Sequence, residues 1–191
     1  MSLKHAILGF LSYSPMTGYD LKKVFASTVQ HFWPADQSQI YRTLATLAGE
    51  GLAEMEVIPQ EGKPGRKVYH VTDAGRAELR QWLAAAPPPS DNRSAFLVQV
   101  FFASALSDQE ALATLQRKAA ELQALLALYR QLPEQATTYL ESNASDREQF
   151  YWALPLEHGI ASAQAALSWI ESAVQRIQAG DYRPNGPPFS S

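Results

Sequence analysis

Residues 61 to 72, EGKPGRKVYHVT, gather three basic side chains around a Pro-Gly pair in a chain whose formal charge is −3. The three are Lys63, Arg66 and Lys67. Cations grouped at a turn can neutralise phosphates along a nucleic acid backbone. A solvated turn without any partner is the alternative interpretation of the same residues.

A second set of polar residues lies on the helix predicted to follow Pro34. One side of this helix is apolar, with residues recurring at helical spacing: Ile40, Leu44, Leu47 and Ala48. The other side presents Ser38, Gln39, Arg42, Ala45 and Thr46. Such groups suit base edges and phosphates, because Arg can pair with guanine, Gln with adenine, and Ser or Thr with either. The alternative is a polar helix face without a partner.

The elements that must hold these groups can be read from helix start and stop signals. A hydroxyl stands three residues before a carboxylate at Thr17–Asp20, Ser107–Glu110 and Ser145–Glu148, which predicts three helix starts. Asp36 with Gln39 can cap the polar helix, and glycines at 49 and 51 end it. An earlier short helix is predicted from the apolar residues Leu3, Ile7, Leu8 and Leu11.

Two alternating stretches, LAEMEVI and KVYHVT, lie on either side of PQEGKPG and predict a β-hairpin whose turn is this basic segment. Three helices followed by a hairpin form a winged helix-turn-helix, in which the third helix enters the major groove of DNA and the hairpin is the wing. In that arrangement the basic residues of the wing lie beside the DNA backbone or the minor groove.

The N-terminal segments resemble the DNA-binding domain of PadR-family transcriptional regulators. The resemblance covers about residues 3 to 83 and rests on LGFLSYSPMTGYDL, FWPADQSQIYRTLATLAGEGL, GKPGRKVYHVTDAGRAEL and the following WL. It implies a dimeric DNA-binding repressor, less often an activator, and the second half is similar to long-form members with a C-terminal helical dimerisation domain. It carries the DNA-binding role onto Ser38, Gln39, Tyr41, Arg42, Thr43, Lys63, Arg66 and Lys67.

The predicted fold is mainly α: an N-terminal winged helix-turn-helix with a two-stranded wing, and a C-terminal all-helical dimerisation domain. AAAPPPSDN, residues 84 to 92, predicts a stiff connection between them, so the domains are placed at 1–86 and 93–179, with 180–191 as a flexible tail. The two parts also differ in charge, since residues 1–86 hold nine Lys/Arg against eight Asp/Glu, and 87–191 hold seven against eleven.

The last helix carries an apolar heptad seam, which predicts a homodimer. The predicted dimerisation residues are Leu156, Ile160, Leu167, Ile170, Val174 and Ile177, and similar steps occur from Leu112 to Tyr129. A two-helix hairpin packing on itself within one chain is the alternative. Pro155 is expected to kink this helix or to mark its true start.

Aromatic side chains at Phe150, Tyr151 and Trp152, with His158 beyond them, form a candidate pocket for a small aromatic effector. Helix-spaced aromatics more often belong to a core.

Composition and missing motifs exclude several other classes of protein. The absence of cysteine excludes disulfides and thiolate chemistry and fits a cytoplasmic protein, and no run approaches the ~20 apolar residues of a membrane span. Nucleotide-binding, zinc-helix and hydrolase motifs are missing, so neither an enzyme, a metal nor a cofactor is predicted. The expected partners are double-stranded DNA and a second copy. The alternatives are a winged helix that binds proteins and a small-molecule binder that does not bind promoters.

Overall fold

The computed structural model describes residues 2–30, 32–87, 93–136 and 144–183, apart from the side chains at 2, 63, 64 and 133–136. It divides into two compact units, Met1–Pro89 with Glu134–Ser142, and Ser90–Pro133 with Asn143–Ser191. Each unit is described by itself. Most of the predicted tail, residues 184–191, lies outside the described residues, and the predicted domain bounds stay predictions.

The first unit contains four helices and one hairpin: α1 (Ser2–Tyr13), α2 (Gly18–Ser27), α3 (Gln37–Gly49), β1 (Ala53–Gln60), β2 (Lys63–Val71) and α4 (Asp73–Ala84). Its core lies where the first three helices meet, and the fully buried side chains include Ile7, Leu8, Leu21, Phe25, Ile40, Leu44 and Leu47. Burying each such side chain contributes about 1.5–3 kcal/mol. The helix order and the antiparallel hairpin confirm the predicted mainly α fold with a two-stranded wing.

The predicted capping boxes are present. At α2, the Asp20 amide donates to the Thr17 hydroxyl and the Thr17 amide donates to the Asp20 carboxylate. At α3, Asp36 and Gln39 exchange the equivalent bonds, at 2.8 and 3.0 Å. These bonds satisfy backbone groups that a helix start leaves unpaired, so local sequence sets where α2 and α3 begin.

Helix α4 was not predicted. It begins after Thr72, whose hydroxyl accepts from the Gly75 amide at 3.1 Å. On α1, the imidazole of His5 stacks on Trp82 with a centroid distance of 4.5 Å, and its Nε2 lies 3.2 Å from the carboxylate of Glu78. Helix α4 therefore packs on α1 through a polar and aromatic contact, which apolar periodicity does not reveal.

The wing pairs β1 with β2 from Ala53↔Val71 to Gln60↔Lys63. Its turn lies at Glu61 and Gly62, where Gly62 adopts φ 70°, a conformation that glycine adopts at little cost. The predicted turn, PQEGKPG at residues 59 to 65, contains the observed one but was too long, because β2 already begins at Lys63 and continues through Pro64 and Gly65. The basic residues Arg66 and Lys67 consequently lie on β2.

The second unit is helical: α5 (Ala95–Phe101), a 3-10 turn (Ala103–Ala105), α6 (Asp108–Ala136) and α7 (Asp146–Gln178). Helix α7 runs back along α6, since the Tyr129 ring packs on Gly159 and the Tyr182 hydroxyl donates to Asp108 at 2.6 Å. Ser107 and Ser145 cap α6 and α7 as predicted. Pro155 lies inside α7, so the alternative that it marks the start of this helix was wrong.

Candidate nucleic-acid interface

The polar face of α3 points to solvent. Ile40, Leu44 and Leu47 are buried in the core, and the side chains on the opposite side are exposed: Ser38, Gln39, Arg42, Ala45 and Thr46. Since one side of the helix is fixed by apolar burial, the other side must face outward as a rigid unit. This arrangement is suited to insertion into a groove of DNA.

Hydrogen bonds to the helix backbone orient Arg42 and Thr46 on this face and Thr43 at its edge. The hydroxyl of Thr43 donates to the Gln39 carbonyl at 2.8 Å, and that of Thr46 donates to the Arg42 carbonyl at 3.1 Å. The Nε of Arg42 lies 3.4 Å from the Ser38 carbonyl. Within the described part of the chain, the terminal guanidinium nitrogens of Arg42 have no partner, so its two-pronged end is available to a ligand.

The side chain of Gln39 takes part in the cap of α3, which limits how it can contact DNA. Its Oε1 accepts from the Asp36 amide at 3.0 Å as part of the α3 cap. Bidentate pairing with adenine needs both the oxygen and the nitrogen of the amide. Gln39 can therefore donate to a base or phosphate while the cap stays intact, and full adenine readout requires the cap to open.

Tyr41 is held at the edge of the face by α2. A Cβ atom added at Gly18 would lie 2.6 Å from Cε1 of Tyr41, so the ring packs directly on the glycine backbone. The ring is still 43% exposed. Burial, with the neighbouring Tyr41 as a smaller cause, raises the pKa of Tyr69 on β2. Tyr41 is thus held against the start of α2 with part of its surface exposed.

The wing residues differ from one another in their contacts. Lys67 is exposed on β2 opposite Val57. The guanidinium of Arg66 instead forms an ion pair with the carboxylate of Asp20 on α2, with an Nη2–Oδ2 distance of 2.8 Å. The side chain of Lys63 lies outside the described residues.

Two lysines on α2 are further candidates for contact with DNA that were not predicted from the sequence. The Nζ of Lys22 donates to Oε1 of Gln37 at the start of α3 at 3.1 Å, and the Nζ of Lys23 lies 4.4 Å from the centroid of the Tyr19 ring. They extend the positive charge from α3 onto the preceding helix. In the sequence they follow the TGYD cap after one residue, Leu21.

The predicted dimerisation residues lie on α7, but not all of them are available to a partner. Ile170 is 1% exposed within its own chain, and Ala163, about two turns earlier on the same helix, is also buried. The half-buried members are Leu156, Ile160, Leu167, Val174 and Ile177. Part of the seam is thus covered by intrachain packing, the alternative considered from the sequence.

The candidate effector residues do not converge within one chain. Phe150 and Tyr151 are exposed and contact each other edge to face at 5.4 Å, while Trp152 is half-buried and His158 exposed. Consecutive helical positions are about 100° apart around the axis, so three adjacent rings cannot line one side of a pocket.

Comparison with known proteins decides the family. Residues 7–81 match the transcriptional regulator PadR-like family, and residues 92–178 match the virulence activator alpha C-term family. The negative transcriptional regulator PadR of Bacillus subtilis is 33% identical over 180 residues, which cover 92% of this chain and 97% of that protein. The chain belongs to the PadR-like family of transcriptional regulators.

Solved structures agree with this assignment. The crystal structure of Bacillus subtilis PadR in complex with operator DNA matches this PadR-like protein with a TM-score of 0.79 and 30% identity, covering 93% of this chain and 99% of that one. The structure of the same regulator in complex with p-coumaric acid matches with a TM-score of 0.74 and 31% identity, over 92% of this chain and 95% of that one. Both comparisons confirm the winged-helix fold with a C-terminal helical region.

The family is one of transcriptional regulators and not of enzymes. Among the described residues of this PadR-like protein, no helix is long and apolar enough to cross a membrane. The described residues also contain no group of three or more His, Asp or Glu side chains that could hold a metal ion.

Proposed function

We propose that this PadR-like protein is a sequence-specific, homodimeric DNA-binding repressor that acts in the cytoplasm and is released by a small aromatic effector. One observation carries the DNA-binding part: α3 turns an exposed polar face to solvent, including the Arg42 guanidinium, whose terminal nitrogens have no partner among the described residues. The likeness to a PadR crystallised with operator DNA supports the same role.

Each predicted DNA contact except Arg66 has a proposed task on this surface. Arg42 reads a base edge, and Thr46 with Ser38 contacts a base edge or the phosphates. Tyr41 and Thr43 approach the backbone at the rim of α3, while Gln39 donates from its amide nitrogen. Lys63 and Lys67 hold phosphates beside the wing.

Salt titration of wing variants tests the proposal. Replacing both Lys63 and Lys67 by alanine is expected to lower the slope of log K against log salt by about 1–2, because each phosphate contact releases a condensed counterion. Affinity should fall by a similar factor for operator and random duplexes, since phosphate contacts do not read sequence. Fluorescence anisotropy at several salt concentrations measures both.

An arginine outside the proposed DNA-binding surface provides the control. Arg80→Ala removes an exposed cation from α4, outside the helix-turn-helix and the wing, and should leave the slope unchanged. If the double lysine variant also keeps the wild-type slope, the wing lysines make no phosphate contacts. No DNA binding by the wild type at low salt would contradict the proposed function itself.

Homodimer formation is supported by apolar surface that one chain leaves uncovered. The exposed apolar side chains of α5 and the turn after it are Leu97, Val98, Phe101, Phe102 and Leu106, and Trp169 on α7 is also exposed. Isolated exposed apolar residues are ordinary, but a contiguous run on one short helix marks an interaction surface. We therefore extend the proposed interface from α7 to α5.

Placing a charge at this surface is expected to separate the dimer. Phe101 is 76% exposed within one chain, so Phe101→Asp should not affect folding of the monomer. In a two-fold dimer the change acts in both copies, at about 2 kcal/mol each, and should raise the dimer dissociation constant by roughly a thousandfold. Sedimentation velocity at micromolar concentration would detect the monomer.

Leu83→Asp is the matched control, because Leu83 is similarly exposed but lies on α4. It should sediment as the wild type does. If Phe101→Asp also remains dimeric, the interface excludes α5.

The effector part of the proposal rests on the related PadR crystallised with p-coumaric acid. In this chain Phe150, Tyr151, Trp152 and His158 supply aromatic and polar groups on α7. Because the three rings point in different directions from one helix, we propose that only some of them contact the effector and that other elements complete the pocket. The proposed domains remain 1–86 for DNA binding and 93–179 for dimerisation, with 180–191 as a tail.

A further inference from the structure

A single carboxylate oxygen joins the wing to the helix-turn-helix. Oδ2 of Asp20 accepts from the Thr17 amide at 3.0 Å and from the Thr17 hydroxyl at 2.7 Å, which caps α2. The same oxygen accepts from Nη2 of Arg66 on β2 at 2.8 Å. The first turn of α2 and the distal half of the wing are therefore held at one point.

Among the described side chains of the outer wing, no apolar one is buried in a way that would fix its direction. From Glu54 to Gln60 every residue of β1 is exposed, including Met55, Val57 and Ile58. At its base the wing is held by a pair of backbone bonds between Met16 and Tyr69, at 3.1 and 2.9 Å. A hairpin held only at its base can pivot, because an isolated pair of strands is marginally stable in water.

Asp20 is well prepared to hold a cation. The α2 cap already fixes its carboxylate. Forming the ion pair therefore has to order only the Arg66 side chain, instead of two side chains. Although burial raises its pKa, the bonds from Thr17 and the Arg66 guanidinium lower it more, and the group stays ionised at neutral pH. In the other hydroxyl capping boxes, the described contacts of the Glu110 and Glu148 carboxylates are those to Ser107 and Ser145.

We propose that Asp20 and Arg66 form a clamp that sets the angle of the wing against α2 and α3. The inference rests on the proposed DNA-binding function and assigns Arg66 a positioning role in place of a phosphate contact. Setting the wing before binding reduces the conformational freedom that DNA binding would otherwise have to remove.

DNA affinity distinguishes the two roles of Arg66, using a duplex selected by the wild type from a randomised pool. A clamp predicts that Asp20→Asn and Arg66→Ala each weaken binding by about three- to tenfold, that the double variant is no worse than either, and that the salt slope is unchanged. Arg66→Lys should restore part of the affinity, since lysine can still pair with Asp20.

A phosphate contact predicts the opposite pattern. Arg66→Ala would then lower the salt slope by about 1, while Asp20→Asn would strengthen binding by freeing the guanidinium and removing a negative charge. That result would overturn the clamp. Glu121→Gln is the control, because it breaks an exposed ion pair with Lys118 on α6, outside the first unit; its salt slope and wing angle should match the wild type.

A measurement without DNA separates failure of the clamp from failure of the proposed function. The chain holds no cysteine, so spin labels can be attached at introduced pairs such as Ala26→Cys on α2 and Glu61→Cys at the wing turn. Mixing with excess unlabelled protein restricts pulsed electron spin resonance to distances within one chain. The clamp predicts a distance distribution that broadens in Arg66→Ala and Asp20→Asn, and an unchanged distribution would overturn it whether or not DNA binds.

Discussion

Replacing Gly75 by alanine is expected to lower the free energy of unfolding of the first unit by about 3 kcal/mol. A Cβ at this position would lie 2.1 Å from the carbonyl oxygen of Leu52 and 2.9 Å from Cγ2 of Val71. The Leu52 backbone cannot easily withdraw, because its carbonyl accepts from the Thr72 amide at 3.2 Å and its amide donates to Leu47 at 2.9 Å. The methyl group must therefore push α4 away from the end of α3.

Thermal unfolding followed by circular dichroism would measure this loss, and the midpoint should fall by roughly 12–24 °C if about 4–8 °C corresponds to 1 kcal/mol. Gly9→Ala is the matched control, since Gly9 lies inside α1 and an added Cβ would meet nothing within 4 Å. It is expected to stabilise the protein by about 0.5–1 kcal/mol. A Gly75→Ala midpoint within a degree or two of the wild type would mean that α4 shifts without breaking these bonds.

Arg42→Ala is expected to weaken binding to the operator by about 1–3 kcal/mol, or roughly 5- to 150-fold, and to change binding to random DNA much less. The guanidinium projects from the centre of the exposed α3 face, and its terminal nitrogens have no partner in the described part of the chain. Its loss removes a bidentate contact that only a matching base edge can use. The fold should be unaffected because the side chain is exposed.

Titration of both duplexes at one salt concentration gives the ratio that decides this prediction. Arg42→Lys is an informative companion, because lysine keeps the charge but cannot reproduce the two-pronged contact. If Arg42 reads a base, the lysine variant should keep affinity for random DNA and lose preference for the operator. Equal losses on both duplexes in Arg42→Ala would place Arg42 on the phosphate backbone instead.

The local features of this protein could be predicted from its sequence. Helix starts at Thr17, Asp36 and Ser145 depend on bonds between residues three apart, and the buried side of α3 depends on spacing along a single helix. The hairpin follows from alternation, although the predicted turn was too long because Pro64 and Gly65 are accommodated within a strand. The family resemblance rested on the same short segments and was confirmed.

Only the tertiary structure decided which partners these residues take. Arg66 and Asp20 are 46 positions apart, and nothing in either segment indicates that one carboxylate oxygen serves both the α2 cap and the wing. The burial of Ile170 within its own chain and the packing of α4 on α1 through His5 likewise depend on how separate elements come together. Periodicity and capping record interactions within a few residues of chain, whereas the choice of a distant partner is set by the packing of whole elements, which a local pattern does not encode.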